Sequence, residues 1–281
     1  MLYNVKEYHR PVDIQDALRL LRREEVHTAV LGGGASLLGS LNGEIEALVD
    51  LQALDLDQVE RAGTTVSIGA MVRLQNLIDE HRNLADGLLA RTARQAAGWN
   101  LRNQMTAGGM LAGEDVHNPV SVAAAALSVR VKLAGEEGEA PVWAALSSTA
   151  HRGALRRHII THLIYEDTQP LGTAYHQIGR TPADLPIVCA AAAVRADANS
   201  GLNCVLVVGG FTHNLLVLSD TITTHDPAST FNDLVDRVRR AGASDTEVRS
   251  DFLGQPDYRR MVAPVLAHRA LVEAFDRVGK A

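Results

Sequence analysis

Apolar residues recur along this chain with two periods. Between Asp13 and Glu24, Ile14, Ala17, Leu18 and Leu21 fall on one face at helical spacing, and Asp13 stands where an N-cap belongs, so an amphipathic helix is predicted. The run His27 to Leu31 reads as a strand and ends abruptly in Gly32-Gly33-Gly34, followed by the short apolar segment Ala35-Ser36-Leu37-Leu38. Short strands are predicted over Ala47 to Asp50 and Thr64 to Ile68, the second alternating in the β-branched manner. Helices are predicted over Leu74 to Glu80 and Leu84 to Ala97. A second glycine segment, Thr106-Ala107-Gly108-Gly109, follows Trp99 and Arg102-Asn103, and leads to an alanine-rich helix from Val120 to Leu127 and a strand from Val129 to Leu133.

The pattern then changes. Gly135-Glu136-Glu137-Gly138-Glu139 reads as a hairpin-like turn with a solvated acidic face, residues 155 to 165 end in a β-branched strand, and Thr168 to Thr173, with Pro170 and Gly172, reads as a linker. Three strands (Ala174 to Gly179, Ile187 to Arg195, Asn203 to Val208) and helices from Ser229 onward follow. Pro264 predicts a kink or break within Tyr258 to Val278, because a proline inside a helix removes a hydrogen bond and crowds the preceding turn. Strands followed by helices, without regular alternation, indicate an α+β fold, with domains expected over 1–170 and 171–281.

Composition narrows the function classes. At 281 residues, 46% hydrophobic and 21% charged, the chain is long enough for two or three packed subdomains. A formal charge of −6 provides no basic footprint for nucleic acid. Lys6, Glu7 and Arg10 occupy the place where a signal peptide needs an apolar run, and no stretch approaches the roughly 20 apolar residues of a membrane span, so a cytoplasmic protein is expected. Cys189 and Cys204, fifteen positions apart without a CxxC neighbour, are expected as buried thiols. Two cysteines fall short of the four ligands an iron–sulfur cluster normally takes.

The chemistry on offer lies in the glycine segments. A glycine loop after a strand can aim several backbone N–H groups at a phosphate, since glycine tolerates positive φ and leaves room for close approach. Residues 32 to 37 read GGGASL, so the third glycine of GxGxxG is replaced by Leu37; neither segment carries the GK[ST] of a P-loop. One such loop is compatible with a plain tight turn. Two converging loops match the two phosphates of a dinucleotide, and Ser36 and Thr106 add hydroxyl donors. His158 and His162 in HIITH superficially match HExxH, but Ile159 stands where the general base would be and the β-branched flanks favour a strand, so zinc is not expected. There is no GxSxG elbow. Trp99 and Trp143 read as core or interface residues.

The runs AVLGGGASLL (29–38), LVDL (48–51), SIGA (67–70), LRNQMTAGG (101–109), TAYHQIGRTPADLPIV (173–188) and PDYRRMVAPVLAHRAL (256–271), in this order and spacing, resemble the FAD-binding medium subunit of the xanthine and carbon monoxide dehydrogenase family. The resemblance covers nearly the whole chain. It implies a PCMH-type FAD-binding domain of two α+β subdomains, then a C-terminal three-stranded sheet with a helical bundle, with FAD lying between the domains. It places Gly32, Gly33, Gly34, Ala35, Ser36 and Leu37 around the pyrophosphate together with Thr106, Gly108 and Gly109, and matches Asp115 to the first aspartate of the following loop. His117, at the exit of that segment, reads as a solvated loop histidine, with an approach to the flavin as the alternative.

No catalytic side chain and no metal ligand is implied on this chain. The molybdopterin and [2Fe-2S] centres are expected on an iron–sulfur subunit and a molybdenum-cofactor catalytic subunit, in a heterotrimer or its dimer. Three departures bear on occupancy. Met110 stands where relatives have asparagine, Pro119 where they have a second aspartate, and Gln177 where lysine is frequent. The first two lose hydrogen-bonding groups worth about 0.5–3 kcal/mol each, which implies weakened FAD retention. Three readings remain: an electron-relaying flavin subunit, a degenerate structural or assembly subunit, and a free-standing flavin oxidase.

Overall fold

The computed structural model describes residues 4–35, 37, 43–113, 116–135, 139–141, 158–169, 171–181, 184–196, 201–222, 226–243 and 247–278. Its strands form three sheets. The first is parallel, in the order β1-β3-β2, from β1 (Glu7–His9), β2 (Thr28–Leu31) and β3 (Ala47–Asp50). Helix α1 (Ile14–Leu21) starts at Asp13, whose carboxylate accepts the Asp16 amide at 2.8 Å, and buries Ala17, Leu18, Leu20 and Leu21 in a small core with Val49 and Leu51. The predicted cap and apolar face are both observed.

The second sheet is antiparallel, in the order β4-β5-β8-β6-β7, from β4 (Val59–Ala62), β5 (Thr65–Gly69), β6 (Arg130–Ala134), β7 (Glu139–Pro141) and β8 (Ile159–Glu166). Helices α2 (Leu74–Asp79), α3 (Leu88–Ala96), α4 (Trp99–Arg102), α5 (Ala107–Ala112) and α6 (Pro119–Ala126) lie between its second and third strands in sequence. Residues 136–138 of the expected acidic turn fall outside the described residues, while β6 and β7 on either side pair as a hairpin.

The expected helix from Leu84 to Ala97 is divided: a 3-10 turn over Leu84–Gly87 precedes α3, and Ala85, Asp86 and Gly87 have φ of 53°, 52° and 74°. The physical reason is long-range. The Asp86 carboxylate accepts the Thr173 amide at 2.9 Å and its hydroxyl at 3.0 Å, and Arg91 donates to the same hydroxyl oxygen at 2.7 Å. A contact across more than eighty positions thus fixes a local break that propensity does not contain.

The third sheet is antiparallel, β12-β11-β10-β9, with β9 (Leu171–Ile178), β10 (Val188–Ala196), β11 (Leu202–Gly209) and β12 (Leu216–Ile222), followed by α7 (Pro227–Ala241) and α8 (Pro256–Val278). It has one strand more than the three expected. In β12 the exposed run Ser219-Asp220-Thr221 interrupts the alternation, but the strand pairs with β11 along its length. The expected linker at Thr168 to Thr173 is also shorter: Leu171, Gly172 and Thr173 pair with Arg195, Val194 and Ala193. Of the kink or break expected at Pro264, the break does not occur: helix α8 is one element from Pro256 to Val278. Pro264 is buried among the residues that seat α8 on the sheet, and that burial outweighs the cost of the missing hydrogen bond.

Small side chains explain how the layers join. Helix α6 is buried at every position, as expected of a helix that is apolar all round. Strand β10 is buried on both faces, directing Cys189, Ala191 and Ala193 into the core shared with α6 and Ala190, Ala192 and Val194 into the core beneath α7 and α8. The alternation of a strand thus serves two cores at once.

Candidate functional site

The two glycine segments meet. A Cβ on Gly33 would lie 1.6 Å from the Gln104 carbonyl oxygen and 3.2 Å from the Met105 Cα, and one on Gly32 would lie 3.0 Å from the Thr106 Oγ1. Only a residue without a side chain fits at Gly33. Gly34 has φ of 77°, the left-handed region that glycine enters without strain, and Ala35 and Leu37 beyond it have helical backbone. Ser36 and Asp115 lie outside the described residues.

The segments differ in what they leave available. In the second, Thr106 caps α5: its hydroxyl oxygen accepts the Gly109 amide at 3.2 Å, and its carbonyl accepts the Met110 amide at 3.0 Å. The Ala107 and Gly108 amides donate to the Val72 and Ala70 carbonyls at 2.8 and 2.9 Å. Every amide from Ala107 to Met110 therefore has an internal acceptor. Gly108 is required for packing, because a Cβ there would lie 2.6 Å from that of Ala70. In the first segment, by contrast, the amides of Gly32, Gly33 and Gly34 donate to no backbone oxygen among the described residues.

The arrangement is a cradle with N–H groups that meet no backbone acceptor among the described residues on one side and a fixed platform on the other. Thr106 is buried, and its hydroxyl proton remains to be donated after its oxygen has accepted the Gly109 amide. No charged side chain occurs within 32–35 or 106–109. Such a cradle suits a phosphate anion held by backbone dipoles and a hydroxyl, and these residues fit the pyrophosphate of FAD.

The departures have structural places. Met110 is half-buried against the core, Pro119 is the first residue of α6, and Gln177 accepts the Tyr175 hydroxyl at 2.7 Å on the inner face of β9. Burial pushes the Tyr175 hydroxyl well above its ordinary pKa, so it stays a neutral donor.

His117 is buried, not solvated as expected. Its Nδ1 lies 2.8 Å from the Pro186 carbonyl and its Nε2 lies 3.4 Å from Asp251. Around Asp251 gather Arg249 at 2.7 Å and the fully buried Arg259 at 2.5 Å; Arg259 also donates to the Ile187 carbonyl at 2.6 Å and to that of Gly210. Burial pushes the Asp251 carboxyl upward, but the Arg249 hydrogen bond, the Leu253 amide and the charges of Arg259 and His117 hold it below the usual carboxylate range. This network and the buried cap Asn118 were missed in the sequence. Asn118-Pro119 does carry a signal, an N-cap followed by proline at the first helical position.

Other singled-out residues lie apart from the cradle's chemistry. His162 sits in β8, where burial and then the Lys132 charge lower its pKa. Trp99 is 64% exposed, so it is not a core residue, and Trp143 is outside the described residues. Cys189 and Cys204 are buried thiols, and burial pushes Cys204 up to about 12. No helix among the described residues is long and apolar enough to cross a membrane.

Comparison with known proteins gives the cradle its context. The family profile described as FAD binding domain in molybdopterin dehydrogenase matches residues 3–161, and that of the CO dehydrogenase flavoprotein C-terminal domain matches 173–274. The chain is 27% identical to the carbon monoxide dehydrogenase medium chain of Afipia carboxidovorans and 25% identical to the nicotine 6-hydroxylase medium subunit of Paenarthrobacter nicotinovorans, each over 96% of this chain and 97% of the relative. In fold it is similar to carbon monoxide dehydrogenase from Hydrogenophaga pseudoflava, with a TM-score of 0.82, 22% identity and 99% of both chains covered. With more than half its length matched by the FAD-binding domain and most of the remainder by the flavoprotein C-terminal domain, the chain belongs to the medium-subunit family of the molybdenum-containing oxidoreductases.

Proposed function

We propose that this chain holds FAD in the cradle between its glycine segments and relays electrons from an iron–sulfur subunit, fed by a molybdenum-cofactor catalytic subunit, to an external acceptor. The observation that carries this reading is the close approach of Gly33 to Gln104, which sets three amides without a backbone acceptor among the described residues beside the Thr106 hydroxyl. FAD, when bound, supplies the reversible electron acceptance that no side chain here offers. The protein's share is positional. Gly32, Gly33 and Gly34 donate N–H groups to the pyrophosphate, Thr106 donates its hydroxyl proton, and the platform of α5 fixes the distance between them. Ala35, Ser36, Leu37, Gly108, Gly109 and Asp115 complete the proposed site, with Gly108 and Gly109 acting through packing and capping.

The medium-chain and medium-subunit names of the relatives support partner subunits in a heterotrimer or its dimer. The gap between the two profile matches supports a domain boundary at 170/171. We assign the chain to the cytoplasm, a placement in keeping with its two buried thiols. A second reading, a structural or assembly subunit with poor FAD retention, is favoured by Met110, which offers no side-chain amide beside the platform, and by the internal use of every amide from Ala107 to Met110.

The relay is tested in the assembled complex. With the iron–sulfur centres reduced anaerobically, removal of flavin from this chain is expected to stop reduction of an external dye, and restored FAD is expected to revive it. Dye reduction at an unchanged rate without flavin would place the exit of electrons elsewhere and leave the structural reading.

A further inference from the structure

The platform's position depends on a residue outside both glycine segments. Helix α5 has only six residues, too few to hold its own geometry in water, so its position is set by what grips its two ends. At its start the grip is visible: Thr106 caps Gly109, and Ala107 and Gly108 hydrogen-bond to Val72 and Ala70. Toward its end, the Met110 carbonyl accepts the Asn118 Nδ2 at 2.9 Å. Asn118 is itself buried, and its Oδ1 accepts the Val120 amide at 2.9 Å as the cap of α6. One carboxamide therefore faces two helices with opposite roles, a donor to α5 and an acceptor to α6. A carboxylate at this position can perform only the second role.

The segment that bears Asn118 is fixed from the other side. Val116 and His117 are buried with it, a Cβ on Gly209 would lie 2.5 Å from the Val116 carbonyl, and His117 reaches Pro186 and Asp251 in the C-terminal half. A chain of contacts thus runs from the Asp251 turn and the ends of β10 and β11, through His117 and Asn118, to Met110 and so to the platform that Gly33 rests beside. We propose that Asn118 is a positioning residue that couples the C-terminal half to the second glycine segment and sets the width of the cradle. The inference rests on the FAD-cradle reading of the preceding subsection.

Two substitutions separate this role from plain helix capping. Asn118→Asp keeps a capping oxygen for Val120 but removes the shorter of the two donors to Met110, leaving the Ser121 hydroxyl at 3.5 Å; Asn118→Ala removes both the cap and that shorter donor. The measurements are FAD affinity of the full chain by flavin fluorescence titration, the melting temperature, and amide hydrogen exchange of α5 and α6 without FAD. For Asn118→Asp, the expected result is faster exchange in α5 with preserved protection of α6, a lowered melting temperature because a buried carboxylate oxygen then faces the Met110 carbonyl, and FAD affinity lower by about ten-fold, equivalent to about 1.4 kcal/mol. Asn118→Ala should lose protection in both α5 and α6. Wild-type exchange in α5 for Asn118→Asp would overturn the proposal and leave Asn118 a cap of α6 alone, as would wild-type FAD affinity alongside faster α5 exchange. Failure of the wild-type chain to take up FAD would overturn the cradle reading, whereas the exchange comparison decides the mechanical role of Asn118 by itself.

Discussion

Gly33→Ala perturbs the point where the glycine segments meet and nothing else of note. The added methyl carbon would stand 1.6 Å from the Gln104 carbonyl oxygen and 2.5 Å from its carbon, both backbone atoms that no rotamer change can move aside. Restoring an ordinary contact of about 3.5 Å requires the segments to part by roughly 2 Å. Overpacking of this kind costs about 1–3 kcal/mol. That cost is divided between two states. A free protein that relaxes by opening the cradle keeps most of its stability and must close against the methyl group to bind FAD; a free protein that stays closed loses the energy in its folding stability. The sum over both readouts is therefore expected at about 1–3 kcal/mol, and a cost falling wholly on binding weakens FAD affinity by about 5- to 150-fold. Flavin fluorescence titration and thermal melting of the same preparation measure the two parts. Gly63→Ala is the control: Gly63 has φ of 62° and nothing within 4 Å of its Cβ position, so alanine there costs about 1–2 kcal/mol of stability and leaves FAD affinity unchanged. Wild-type affinity together with a wild-type melting temperature for Gly33→Ala would refute the contact between the segments.

Thr106→Val removes the cap of α5 and the donor proposed for the pyrophosphate, so it is expected to cost about 0.5–2 kcal/mol of stability and to weaken FAD binding, while Thr106→Ser retains both; calorimetry with FAD titration checks the pair. Asp251→Ala leaves buried Arg259 without its carboxylate and is expected to destabilise the chain by about 3–5 kcal/mol, read from urea unfolding. Because the Asp251 pKa is depressed in the folded chain, its contribution is complete above its ordinary value of 3.8 and is lost as pH falls from there through the lower folded value. The gap in stability between wild type and Asp251→Ala should accordingly narrow below that pH, and a constant gap through acid would contradict the assignment.

Much of the fold was legible because local rules and tertiary packing agree. The stripe of α1, the strands on either side of the first glycine segment and the alanine-rich α6 follow from period and capping alone. The divided helix before α3 was not legible, since its cause is Asp86 reaching Thr173. The same holds for Pro264, tolerated because α8 is pressed onto a sheet, and for β12, which pairs despite a polar centre. Within the site, sequence pointed to the two glycine segments but not to the inequality between them. Glycines look alike in a sequence, whereas Gly33 is demanded by Gln104, Gly108 by Ala70, and among the described residues the amides of the first segment, unlike those of the second, meet no backbone acceptor. His117 read as a loop residue because the Pro186 carbonyl and Asp251 that enclose it come from 69 and 134 positions away.

The central claim, that this chain carries FAD, is tested most directly by the flavin content of the purified protein, alone and with its partner subunits. Acid extraction followed by chromatography should release FAD in stoichiometric amount from the complex, and the isolated chain should take it up when FAD is supplied. Absence of flavin from both preparations, persisting after FAD is added, would contradict the account.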